Sequence, residues 1–333
     1  MREQALSFGG RPTLTGVVTW PRALAPGPTP PVTVGPPESG ILPPRRAVRV
    51  VPDETAAVGL DTVGAPAVLL LNAGILHHVG PSRTYVKTAR SLASLGFLVL
   101  RFDFAGVGDS LPRDDNLPFA QAAVQEVQQA MATLHALAGS TQFVLVGLCS
   151  GARVSLDAAI HDPRIIAAVL INPNMHLHDS RDEELSAGLR NRALLHHFQR
   201  LALASSFGLK NCLKTLTGNL NWPLLGQALR GFRLRNPLHG QPAGPGPRQY
   251  ALDRLSILSA RGVRLLHIYS EGDEGLDYFR LLLGKEADAQ PMELIRGANH
   301  TFTPIWSQER LVQVICDWVR CSIPHSGRET GAA

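Results

Sequence analysis

The sequence predicts an α/β fold: a mostly parallel sheet covered by helices on both faces, with an inserted helical cap. Three observations carry this expectation. Short apolar runs recur at 67–72 (AVLLLN), 97–104 (FLVLRFDF), 143–147 (FVLVG), 165–172 (IIAAVLIN) and 263–269 (VRLLHIY). They are nearly continuous rather than alternating, as strands buried on both faces are. Between the first four lie segments with apolar residues at helical spacing: SRTYVKTARSLASLG, NLPFAQAAVQEVQQAMATLHALAG and SGARVSLDAAIHD. Repeated strand–helix units imply parallel crossovers. The third observation is a break in that rhythm. About ninety residues separate Asn172 from Val263, far more than a crossover requires.

The elements follow in order. Residues 5–20 (ALSFGGRPTLTGVVTW) read as two short strands around a Gly-Arg-Pro turn. A Pro-rich stretch from Pro21 to about Pro52, within an excursion spanning about 21–66, reads as a surface loop or linker, because proline removes donors and blocks helix. The core then divides into a first part, 1–173, and a second part, 251–323. Residues 174–250 form the cap, where SAGLRNRALLHHFQRLALASSFG and LLGQALRGFRLR read as amphipathic helices with Leu194, Phe198 and Leu201 on one face. A last helix, QERLVQVICDWVRCSI, packs on the sheet, and 324–333 is expected to be a disordered tail.

Composition removes several function classes. The chain has 333 residues, 44% hydrophobic and 18% charged, with a net charge of +5, as an ordinary soluble protein does. No apolar run reaches the roughly 18 residues of a membrane span, and the N-terminus lacks the apolar stretch of a secretory signal. Four cysteines, Cys149, Cys212, Cys316 and Cys321, show no metal-ligand spacing, so neither a zinc site nor a disulfide framework is expected. Free thiols suit a reducing cytoplasm. Sparse aromatics and the lack of a recognised motif argue against nucleic acid.

The chemistry concentrates at Gly147-Leu148-Cys149-Ser150-Gly151, which follows the strand FVLV and opens a helix. This is the setting of a nucleophile elbow, G-x-nucleophile-x-G, where the turn is tight enough to need small residues two before and two after the nucleophile. Reading Ser150 as the nucleophile puts Leu148 where glycine is needed, so Cys149 fits. The rival reading is a buried structural cysteine.

At this point the chain resembles the α/β-hydrolase superfamily, from Leu6 to about Ile323. Asp103-Phe-Ala-Gly-Val-Gly-Asp-Ser110 is similar to the superfamily's D-x-x-G-x-G-x-S turn, and Asn72-Ala-Gly-Ile75 stands where its oxyanion loop usually lies. The cysteine in the elbow is similar to that of polyhydroxyalkanoate synthases and dienelactone hydrolases. The resemblance implies an acid and a base in that order after the nucleophile. Ser270-Glu-Gly-Asp273-Glu274-Gly275 resembles the acid loop, with Asp273 best placed and Glu274 and Glu271 as rivals. Gly297-Ala-Asn-His300-Thr-Phe302 resembles the G-x-x-H-x-F loop of the catalytic histidine. The oxyanion donors are expected to be the N–H of Ser150 and that of Ile75 or Gly74. His77 and His78, just beyond, are either pocket lining or solvated loop.

A thiolate reacts readily with thioesters and forms a thioester of similar energy, which suits acyl exchange. From Leu185 to Tyr250 there are nine cations (Arg190, Arg192, Arg200, Lys210, Lys214, Arg230, Arg233, Arg235 and Arg248) and no acid. Such a field attracts the phosphates of coenzyme A or an acidic acyl carrier protein, with Arg230, Arg233 and Arg235 as candidate donor-binding residues. A solubilising lid is the plainer account of the same charges. The expected function is acyl transfer from a thioester through Cys149 to a small-molecule acceptor, with no cofactor or metal. Hydrolysis of the same acyl-enzyme is the alternative, and a non-catalytic binding protein on the same scaffold is a third.

Overall fold

The computed structural model describes residues 1–22, 65–173 and 246–323. The Pro-rich stretch, the expected cap helices and the expected disordered tail lie outside the described residues.

Eight strands form one sheet: β1 (Arg2–Phe8), β2 (Leu14–Trp20), β3 (Ala67–Leu71), β4 (Val99–Asp103), β5 (Phe143–Leu148), β6 (Ile165–Ile171), β7 (Arg264–Ser270) and β8 (Met292–Ile295). Their spatial order is β1-β2-β4-β3-β5-β6-β7-β8. β1 and β2 are antiparallel to each other, and β2 to β4, while β3 to β8 run parallel. The described helices are α1 (Thr84–Ser94), α2 (Phe119–Ala138), α3 (Ser150–His161), α4 (Pro247–Ala260), α5 (Gly275–Leu283) and α6 (Ile305–Ser322).

The continuous apolar runs explain the two-sided covering. In β3 every residue is buried, with Leu69 and Leu71 in one core and Val68 and Leu70 in the other. β5 divides likewise: Phe143 and Leu145 share a core with Met131 and Leu134 of α2, whereas Val144 and Val146 share one with Val314 and Ile315 of α6. Each fully buried side chain of this kind contributes about 1.5–3 kcal/mol relative to exposure. Gly139, at φ 67°, closes α2 in the left-handed conformation that suits glycine.

Three elements depart from the sequence reading. β8 is a four-residue edge strand with only Ile295 buried, so it carries no continuous apolar run. α5 follows the acid loop directly, without a polar stretch to mark it. α4 begins at Pro247, so a single helix crosses the expected boundary between residues 250 and 251.

Candidate active site

Strand order fixes where a site can form. From β3 the chain moves to β4 on one side and then to β5 on the other. The loops leaving β3 and β5 therefore diverge at the carboxyl ends of the strands, the usual ligand position in such sheets. Residues 72–78 leave β3 there, and Cys149 leaves β5.

Cys149 has φ 57° and ψ −116°, a strained backbone for a residue other than glycine. Strain of this kind costs about 1–3 kcal/mol and persists only where the surroundings impose it. They do so here. A Cβ at Gly147 would lie 2.2 Å from the Gly151 carbonyl carbon, and one at Gly151 would lie 2.6 Å from the carbonyl oxygens of Leu71 and Asn72. Both flanking glycines are thus required by backbone contact. Cys149 also caps the N-terminus of α3, whose dipole favours a thiolate.

The structure brings His300 and Asp273 to this thiol. His300 Nδ1 is hydrogen-bonded to Asp273 Oδ2, and the same imidazole interacts with Cys149. Asp273 first, and Cys149 second, push the imidazole up to about 10. Asp273 is buried and its Oδ1 accepts the Gly275 N–H at 2.8 Å, which aims the other oxygen at the ring. The two rival carboxylates lie elsewhere. Glu274 is exposed, and Glu271 accepts the Gly297 N–H at 2.9 Å, linking the acid loop to the base loop. Phe302, fully buried, anchors the far side of the base loop.

On the facing loop, the Gly74 N–H donates to Ser150 Oγ at 2.6 Å. The Gly74 amide, one of the expected oxyanion donors, is therefore spent on Ser150. The Ile75 amide follows it in the loop, and the Ile75 side chain is exposed. The Ser150 N–H lies at the first turn of α3, as the elbow requires.

Two side chains brace this loop, a role that the sequence does not reveal for either. The Tyr85 hydroxyl donates to the Leu71 carbonyl at 2.7 Å and accepts the Leu148 N–H at 3.0 Å, joining β3 to the elbow. Burial pushes its phenol well above the ordinary value. Asp103 is the second brace. Its Oδ1 accepts the His78 N–H at 2.6 Å and Asn72 Nδ2 at 2.9 Å, and its Oδ2 meets His78 Nδ1 at 2.7 Å. Burial raises this carboxyl, but His78 and Asn72 outweigh it and hold it below the usual range. His78 is thus a buried support, neither pocket lining nor solvated loop. His77 is partly exposed and meets Asp109 Oδ2 at 3.1 Å. His77, His78, Asp103 and Asp109 place their ligand atoms within 4.8 Å of one another. Hydrogen bonds already join the rings to the carboxylates, so this cluster reads as a brace.

Of the nine cations from Leu185 to Tyr250, only Arg248 falls among the described residues. It pairs with Glu286 at 2.7 Å, so its charge is compensated by the core. Arg230, Arg233 and Arg235 lie outside the described residues. No helix among the described residues is long and apolar enough to cross a membrane.

The Hydrolase_4 family model, described as serine aminopeptidase S33, matches residues 65–216. Its description names a serine enzyme, whereas the strained elbow residue here is Cys149. No curated protein matches the chain in sequence. Among solved structures, DcsB in complex with its substrate analogue superposes with a TM-score of 0.52 at 14% identity, covering 97% of this chain and 99% of that one. The α/β hydrolase GrgF from Penicillium sp. sh18 gives 0.51 at 16% identity, covering 97% and 99%. ATU1826 from Agrobacterium tumefaciens gives 0.51 at 13% identity, covering 97% and 100%. With its parallel sheet, its elbow and these neighbours, the chain has the α/β-hydrolase fold, and residues 65–216 resemble the serine aminopeptidase S33 family.

Proposed function

We propose that the protein is an acyl-transfer enzyme working through a Cys149 acyl-enzyme, with Cys149 as nucleophile, His300 as acid and base, and Asp273 as its orienter. The observation that carries this reading is the His300 imidazole, hydrogen-bonded to Asp273 and interacting with Cys149, which together push it up to about 10. An imidazolium so held favours the thiolate, the form that attacks.

The Cys149 sulfur attacks the acyl carbonyl carbon, and the carbonyl electrons move onto oxygen. The Ser150 N–H and the Ile75 N–H stabilise that oxyanion. Its collapse breaks the bond to the donor's sulfur, and the departing thiolate takes the proton from His300. The acceptor, an amine, alcohol or thiol, then gives its proton to His300 as it attacks the acyl-enzyme. Collapse of the second oxyanion releases the Cys149 thiolate beside a renewed imidazolium.

A thioester donor fits because one thioester is exchanged for another of similar energy. The cations between Arg190 and Arg235 favour a phosphate-bearing donor such as acyl-coenzyme A or an acyl carrier protein. The reaction requires no cofactor. Hydrolysis, with water as acceptor, is the second reading, and the match of residues 65–216 to a hydrolase family favours it. Loading Cys149 with an acyl thioester, removing the donor and following release separates the two. Transfer predicts release at least tenfold faster with an amine, alcohol or thiol acceptor than in buffer alone. Equal release across all acceptors leaves hydrolysis.

A further inference from the structure

β6 ends at Ile171, and Ile171 with Asn172 touches all three parts of the site. The Ile171 carbonyl accepts the Cys149 N–H at 2.9 Å. Asn172 is fully buried at φ 40°, in the left-handed region, and its N–H donates to the Ile268 carbonyl at 2.8 Å. Both ends of its side-chain amide are used. Oδ1 accepts the Ser270 N–H at 2.7 Å, while Nδ2 donates to Ser270 Oγ at 2.9 Å and to the His300 carbonyl at 2.8 Å. Ser270 opens the turn that carries Asp273, whose N–H returns to the Ser270 carbonyl at 3.1 Å.

We propose that Asn172 is a positioning residue for the Cys149–His300 pair, its amide clamping the base loop and the acid loop to the strand end that holds the Cys149 backbone. The inference rests on the reading of Cys149 and His300 as nucleophile and base. The residue type follows from the bonds. Aspartate lacks the two donors, and glutamine carries its amide one methylene further. Asparagine also tolerates a left-handed backbone better than most residues. Without the clamp, the backbone of residue 300 is released and the imidazole loses its fixed place beside the sulfur.

The test compares two variants. Asn172→Gly keeps the positive φ without steric cost and removes the amide. Asn172→Asp keeps the volume and the acceptor at Ser270 but turns an oxygen towards the His300 carbonyl, and it carries the test if the glycine variant unfolds. The readout is the rate of iodoacetamide alkylation at the Cys149 peptide, followed by mass spectrometry from pH 5 to 10, with circular dichroism as the fold check. In the unaltered protein the midpoint should lie well below the ordinary thiol value of about 8.5. In a folded variant it should rise towards that value, with alkylation at least tenfold slower at pH 6 and within twofold at pH 9.5. A purely structural residue would lower the melting temperature and leave the midpoint in place; that result, in either folded variant, overturns the proposal. An ordinary midpoint in the unaltered protein would instead overturn the nucleophile–base reading beneath it.

Discussion

The Tyr85 hydroxyl accepts the Leu148 amide hydrogen at 3.0 Å, one residue before the strained thiol. The same hydroxyl donates to the Leu71 carbonyl, so one buried side chain joins the nucleophile strand to the strand that launches the oxyanion loop. Tyr85→Phe keeps the ring and removes both bonds, leaving a buried N–H and a buried carbonyl without this partner. The expected loss of stability is about 1–3 kcal/mol, read as a lower denaturation midpoint. An unchanged midpoint would mean that the two backbone groups find other partners.

The elbow glycines make a steric prediction. A Cβ at Gly151 would sit 2.6 Å from two backbone oxygens of the neighbouring strand end, neither of which can rotate away. Gly151→Ala should therefore destabilise the fold by more than 3 kcal/mol, in the upper range for single substitutions. Gly74→Ala is the contrast, since nothing lies within 4 Å of a Cβ there and only its positive φ opposes the change. Equal melting temperatures for the two variants would contradict the geometry of the elbow.

His300 makes the pH prediction. Its folded value, about 10, exceeds its ordinary 6.5. The stability it contributes is thus fully present below about 6.5 and is lost as pH rises through about 10. Asp273→Asn removes the largest cause of the upward shift. The variant should lose less melting temperature between pH 7 and 10 than the unaltered protein does. Its acylation rate should fall by about 10²- to 10⁴-fold at pH 7, and the alkaline limb should move down towards 6.5. Coincident pH profiles would show that Asp273 does not govern the imidazole.

The cations of the expected cap make an electrostatic prediction. If they receive the donor's phosphates, reversing Arg230, Arg233 and Arg235 to Glu should raise KM for a coenzyme A-linked or carrier-bound donor, with the effect shrinking as salt rises, because solvated charges are screened over about 8–10 Å. Turnover of a small neutral thioester should barely change. Equal loss on charged and neutral donors would mean that the substitutions disrupt the cap.

Much of this site could be read from local sequence. The elbow is legible because backbone contacts force Gly147 and Gly151, and the loops of Asp273 and His300 are legible through their resemblance to the acid and base loops of the superfamily. What escaped depends on partners distant in the chain. Tyr85 meets Leu148 across 63 residues, and Asn172 meets Ser270 across 98 and His300 across 128. No local pattern distinguishes Tyr85 from any apolar residue on a buried helix face. The Gly74 amide stands as the alternative to that of Ile75 as an oxyanion donor, and its bond to Ser150 depends on a side-chain rotamer that sequence does not encode. β8 was missed because an edge strand needs only one buried face.

Covalent catalysis by Cys149 is tested most directly by the atom that receives the acyl group. Intact-protein and peptide mass spectrometry after incubation with a panel of acyl thioesters should find a single acyl adduct, mapped to Cys149 and labile to hydroxylamine, as a thioester is. Cys149→Ala should abolish that adduct while its circular dichroism spectrum is retained, and Ser150→Ala should still form it. An adduct that survives in Cys149→Ala and disappears in Ser150→Ala, or no adduct with any thioester, would contradict the central claim.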